Sequence, residues 1–263
     1  MPGGGTGDLR ERVALVTGGS RGIGRAVAVA LAAAGAAVGV NYREGESAAR
    51  AVVAEIAENG GTAAAIQGDV SDFDQAQAVV AKTVAEFGGL HVLVNNAGIA
   101  RDALLFEMNP QDWLDVMNVN FGGVFNCTKA ALPQFAGQRD GVIVNMSSMM
   151  GERGWTGEAN YAASKGAINA FTRCAAVELA RFGVRVNAVL PGFSPTDLVA
   201  GLLAKDDGRT IKRQVPQRRF AAVEDVAEAT VFLAGPRSGH ITGTLLPVDG
   251  GVGAQLGLGR TNW

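Results

Sequence analysis

The chain is poor in cysteine. Cys127 and Cys174 are the two present among 263 residues, far apart and without CxxC spacing. This argues against a disulfide framework or a thiolate metal site and for a reducing, cytoplasmic setting. No metal is expected. Excess charge of either sign is also missing: a net charge of −2 and a pI near 5.8 supply no broad positive field, so neither nucleic acid nor an anionic membrane is expected as a partner. No uninterrupted apolar run approaches the roughly 18 residues of a membrane span. The Gly-rich start, residues 1–7, has neither the basic segment nor the apolar run of a signal peptide. No linker, solenoid-length repeat or charge block divides the sequence. What the chain does have is hydrophobic residues, 48% of the total, enough for a sizeable core in one large domain.

Short β-branched runs alternate with longer Ala-rich helical patterns. Strands are expected over 13–17, 37–42, 63–67, 92–95, 142–147, 185–190 and 245–248. Helices are expected over about 22–34, 47–59, 72–87, 110–135 and 159–182. Strands that read as continuous apolar runs belong to a parallel sheet covered on both faces. The expected fold is therefore α/β: a Rossmann-type doubly wound sheet of seven parallel strands in a single domain over 11–251. Residues 1–10 are expected to form a flexible tail and 252–263 a C-terminal tail. Residues 191–216 break the rhythm and read as a loop or small helical lid over the substrate.

Directly after the first strand comes Thr17-Gly18-Gly19-Ser20-Arg21-Gly22-Ile23-Gly24, with glycines at 18, 22 and 24 where strand turns into helix. Missing Cβ atoms there let backbone N–H groups and the helix N-terminus approach a pyrophosphate. The second strand ends Asn41-Tyr42-Arg43, with no acid at its tip to bind a ribose 2′-hydroxyl. Arg21 and Arg43 stand available for a 2′-phosphate instead, although each taken singly suits a surface role equally well. Together they favour NADP(H). Asp69-Val70, past the third strand, suits an adenine edge, or Asp69 caps the next helix.

Tyr161 and Lys165 are four apart in a helical pattern, one turn from each other on the same face. Ser148 lies just beyond the fifth strand, at the carboxyl edge where doubly wound sheets place ligands. Together with Asn95-Asn96-Ala97-Gly98, Asn120, Pro191-Gly192 and Asp249-Gly250-Gly251, these motifs resemble, in order and spacing, the short-chain dehydrogenase/reductase family over residues 11–251. The resemblance implies Tyr161 as general acid/base, Lys165 on the nicotinamide ribose and lowering the tyrosine pKa, Ser148 positioning the substrate oxygen, and Asn120 supporting a water relay. It also implies cofactor contacts from Asn96, Ala97, Gly98, Pro191, Gly192 and Thr196, and a homotetramer paired through the two long helices and the final strands. A phenol pKa near 10 must fall by about three units to match neutrality, and one ammonium about 4 Å away supplies roughly that much. Lys165 alone is expected to suffice.

Within the family, Gly98-Ile99-Ala100-Arg101-Asp102-Ala103-Leu104-Leu105, together with Val119-Asn120 and Phe125-Asn126, resembles reductases of 3-oxoacyl thioesters, carried on acyl carrier protein or coenzyme A. The expected reaction is NADPH-dependent reduction to the 3-hydroxyacyl thioester in fatty-acid or polyketide assembly. A free alcohol, sugar or steroid is the alternative substrate, and a non-catalytic NADP-binding subunit is a third reading. Arg139 and Arg181 are candidate contacts for an acidic carrier protein at the active-site mouth, or plain surface charges. Pro195 is expected to stiffen the lid's entrance, and Met149, Met150 and Trp155 either line an acyl pocket or simply pack.

Overall fold

Seven strands, the central ones apolar throughout, decide the architecture seen in the computed structural model, which describes residues 9–196, 206 and 208–255. They are β1 (Val13–Val16), β2 (Ala37–Tyr42), β3 (Thr62–Gln67), β4 (Val92–Asn95), β5 (Gly141–Met146), β6 (Val184–Pro191) and β7 (Leu245–Val248). They form one parallel sheet in the order β3-β2-β1-β4-β5-β6-β7. Every residue of β1, β4 and β5 is buried, as sheets covered on both faces require. Pro247, which cannot donate to a ladder, sits in β7 on the sheet's edge.

The helices are α1 (Gly22–Ala33), α2 (Glu46–Glu58), α3 (Phe73–Phe87), α4 (Pro110–Met117), α5 (Gly123–Gln138), α6 (Ala159–Leu179), α7 (Arg209–Gln214) and α8 (Val223–Ala234). One core packs α1, α2 and α8 on a face of the sheet, around Val27, Leu31, Val52 and Leu233. The other packs α3, α5 and α6, around Val79, Cys127, Phe135 and Leu179. A buried polar chain ties the sheet to α6. Asn95 donates to Asn145 Oδ1 at 2.9 Å, and Asn145 donates to Thr172 Oγ1 at 2.9 Å.

The chain departs from the sequence reading at three places. The single helix expected over 110–135 is interrupted: α4 ends at Met117, a π turn spans Asn118–Gly122, and α5 resumes to Gln138. Helix α8 was not anticipated, although Val226, Ala227, Thr230 and Leu233 form a buried stripe at helical spacing. The region read as a loop or small helical lid does contain a short helix, α7, and its residues 197–205 and 207 lie outside the described residues. The packed chain also begins before residue 11: Leu9 is fully buried and its N–H donates to Ala34 O at 3.0 Å.

Candidate active site

A parallel sheet whose order reverses direction leaves a crevice at the carboxyl ends of its strands, here between β1 and β4. A cleft of about 790 Å³ opens there. All the expected cofactor contacts and three of the four catalytic candidates line it; Asn120 lies buried behind the wall.

The β1–α1 turn shows why glycine occupies it. Gly18 has φ +60°, a left-handed conformation, and an added Cβ would lie 2.9 Å from Ala97 Cα. At Gly24 a Cβ would stand 2.2 Å from Gly18 O and 2.5 Å from Asn96 Nδ2. The turn is braced from both sides. Asn96 donates to Thr17 O and Gly18 O at 2.9 and 3.1 Å, and Gly18 N–H donates to Asn41 Oδ1 at 3.3 Å. Asn41 also donates to Ile66 O and Gly68 O, so its amide is committed to holding the loop rather than left for a ligand. The result is a rigid cradle at the N-terminus of a 12-residue helix, without side chains in the way, a shape and field suited to a pyrophosphate.

At the tip of β2, Arg43 lies 3.1 Å from Glu44 and 3.8 Å from Asp69. Arg21, at the helix entrance, lines the same part of the cleft. Asp69 does not cap the next helix: Asp72 caps α3 by accepting from Gln75 N–H, while Asp69 lines the cleft and accepts from Ser71 N–H and Oγ–H. Asn126 on α5, a residue sequence reasoning assigned no site role, donates to Val70 O and Ser71 O and pins this loop.

Ser148, Tyr161 and Lys165 meet at the other end. Ser148 opens a short 3-10 turn, Met149–Gly151, accepting from Met150 N–H at 3.2 Å, and it hydrogen-bonds with Tyr161. Lys165 Nζ sits 5.4 Å from the centre of the Tyr161 ring and donates to Met146 O at 2.8 Å. Burial lowers the lysine to about 8 and raises the tyrosine above its ordinary value; the Ser148 hydrogen bond opposes that rise, and Glu158 and Asp102 add to it. One N–H of the lysine ammonium goes to Met146 O, while the charge itself stands over the Tyr161 ring.

Asn120 sits in the π turn, a geometry that often marks functional positions in helices. Its Oδ1 accepts from Ile99 N–H at 2.8 Å, and its amide donates to Ile99 O and to Ser164 Oγ. The side chain thus fastens the loop after β4 to α6. Around the mouth, Met149, Met150, Phe193 and Ile211 form a small apolar cluster with Trp155 and Tyr161. Trp155 meets Phe193 edge to face at 5.5 Å. Two acids at this end, Asp102 and Glu158, were not anticipated as site residues. Glu158 could have been noticed from its position three residues before Tyr161.

Arg139 and Arg181 lie elsewhere. Arg139 donates to Arg181 O, and Arg181 stacks on the Phe182 ring. Both precede the strands whose far ends carry the site, β5 and β6, placing them about 20 Å from the cleft at 3.3 Å per residue. Within one chain they do not flank the mouth.

A doubly wound parallel sheet with a glycine cradle and a Ser-Tyr-Lys group at its carboxyl edge defines a nicotinamide-dependent oxidoreductase, and the chain belongs to the short-chain dehydrogenase/reductase family. The matching family model, described as Enoyl-(Acyl carrier protein) reductase, covers residues 18–253. Among particular relatives, the chain is 46% identical over 239 residues to the 3-oxoacyl-(acyl-carrier-protein) reductase FabG of Staphylococcus aureus, covering 91% of this chain and 97% of that one. It is 41% identical to the acetoacetyl-CoA reductase of Shinella zoogloeoides, covering 92% and 98%. A gluconate 5-dehydrogenase from Burkholderia cenocepacia, solved with NADP and tartrate, superposes with a TM-score of 0.90 at 34% identity, covering 94% and 97%.

Proposed function

We propose that the protein is an NADPH-dependent reductase of 3-oxoacyl thioesters, working in the cytoplasm in fatty-acid or polyketide assembly. The observation that carries this reading is the junction of Ser148 and Tyr161 with the apolar cluster of Met149, Met150 and Phe193: a proton-delivering group beside a wall that suits an acyl chain. The relatives named for 3-oxoacyl and acetoacetyl carriers support the same substrate class.

The dinucleotide would be held by the cradle from Gly18 to Gly24, by Asp69-Val70 and Asn96-Ala97-Gly98, and by Tyr161, Lys165, Pro191-Gly192 and Thr196. Arg21 and Arg43, with no acid at 41–43, favour the 2′-phosphorylated form. When bound, it supplies the hydride. The chain's own part is proton and charge management. Ser148 Oγ holds the carbonyl oxygen, and Tyr161 donates its phenolic proton there as negative charge develops. A phenol kept protonated by burial suits the reducing direction, because oxidation would require the phenolate as base. Asn120 keeps the loop after β4 registered against the helix that carries Tyr161.

A panel of acetoacetyl-CoA, acyl-carrier thioesters, polyols and cyclic alcohols, each with NADPH or NADP, tests the reading. Thioesters are expected to give the highest kcat/KM. Preference for polyols or cyclic alcohols overturns the substrate class, and equal use of NADH overturns the cofactor preference.

A further inference from the structure

Glu158 is the N-cap residue of α6, yet its side chain caps nothing. It is 8% exposed, lines the cleft, and its Oε2 has no hydrogen-bond partner. A carboxyl group buried to that degree normally has a partner, because leaving one unsatisfied is costly. Helix capping would have provided one, and the side chain forgoes it.

The surroundings deepen the anomaly. Asp102, at the rim on the loop after β4, is the other acid at this end and close enough to act on Glu158 electrostatically. The cations nearby in the chain are turned elsewhere: Lys165 donates to Met146 O, Arg101 to Ala100 O, and Arg153 to Gly253 O. None of the described residues forms an ion pair with Glu158, and no described basic residue other than Lys165 lines the substrate end. The remaining titratable neighbour is Tyr161, three residues on along the same helix face.

We infer that Glu158, with Asp102, is a specificity-determining pair that excludes substrates bearing a free carboxylate and admits those whose carboxyl is masked as an ester or thioester. This deepens the proposed reading and rests on it. A 3-oxo acid and its ester present the same ketone to Tyr161 and differ only in the charge two carbons away. Between two unit negative charges about 6 Å apart, at an effective dielectric of about 20, repulsion amounts to roughly 100-fold in an equilibrium constant. When protonated, Glu158 can instead donate its O–H to the neutral ester carbonyl.

Burial, followed by the charge of Asp102, raises Glu158 to about 7. The exclusion is thus weakest below that pH, where the carboxyl is neutral, and strongest above it. The test compares ethyl acetoacetate with acetoacetate, whose charge is constant between pH 6 and 8. In the wild-type protein the ester is expected to be favoured about 100-fold in kcat/KM at pH 8, and several-fold less at pH 6. Glu158→Gln should cut the ratio at pH 8 about tenfold and flatten its pH dependence, whereas Glu158→Asp should retain both. Asp102→Asn should move the ratio the same way by a smaller factor, and carries the test if Glu158→Gln fails to fold. A ratio that is unchanged in both neutral variants, or a wild type that reduces acetoacetate as well as the ester, overturns the inference alone. If neither the ester nor acetoacetyl-CoA is reduced, the proposed function fails and this inference with it.

Discussion

At the scale of single residues, the phenol of Tyr161 and the ammonium of Lys165 divide the proposed work unequally. If Tyr161 delivers the proton, Tyr161→Phe keeps the fold and the cleft but lowers kcat by about 10²–10⁴. NADPH titration and turnover measured on the same preparation check this, and activity surviving within tenfold overturns the role. Lys165 makes a separate prediction on the unliganded protein. Burial lowers it from 10.5 to about 8, so between those pH values the unfolded chain binds more protons than the folded one, and stability rises with pH. The burden on the fold at pH 7 is about 3 kcal/mol, at roughly 1.4 per pH unit. Any advantage of Lys165→Met over wild type in urea melts should therefore shrink by about 2 kcal/mol or more from pH 7 to pH 10. A gap independent of pH would show that the ammonium is solvated. The sequence made Tyr161 and Lys165 legible as a pair, because residues four apart in a helix share a face, and Ser148 from its place just beyond the fifth strand. It could not show where Nζ points, since that depends on the Met146 carbonyl, nor that Glu158 lacks a partner, since that is a property of its surroundings.

At the scale of elements, the β1–α1 junction sets two effects against each other. Gly24 lies inside α1, where alanine would be favoured by about 1 kcal/mol on helix propensity. The 2.2 Å approach of its would-be Cβ to Gly18 O is far below van der Waals contact. The clash should win. Gly24→Ala is expected to lower Tm and weaken NADPH binding at least tenfold by fluorescence titration, and unchanged affinity would mean the turn does not hold the pyrophosphate. Elements with uniform patterns were legible from sequence: β1, β4 and β5 read as continuous apolar runs because both of their faces are covered. Helix α8 was less legible: its stripe Val226, Ala227, Thr230 and Leu233 follows directly on the polar stretch that ends the lid. The π turn at Asn118–Gly122 is invisible to a 3.6-residue period, which is interrupted there by tertiary demands, including Asn120's hydrogen bonds to Ile99.

At the scale of the whole molecule, the outer faces of α4, α5 and α6 carry Leu114, Phe125 and Val177, the last 81% exposed. Apolar side chains left on helices that do not need them for the core mark a contact surface. We propose that these helices pair in a homotetramer. Light scattering is expected to give four times the chain mass, with Val177→Glu shifting the population to smaller species; a monomeric wild type would count against the assembly. Among the described residues no helix is long and apolar enough to cross a membrane.

The strand order also has a meaning in time. Strand β1 lies between β2 and β4, yet Ala14 pairs with Val92, about 80 residues later in synthesis. At roughly 5–20 residues per second, a nascent chain carries Val13–Val16 with one ladder edge unpaired for about 4–16 s before β4 emerges. Four apolar residues with an open edge are a pairing template for any neighbouring strand. The centre of the finished sheet is therefore the part of the newborn chain most exposed to misassembly.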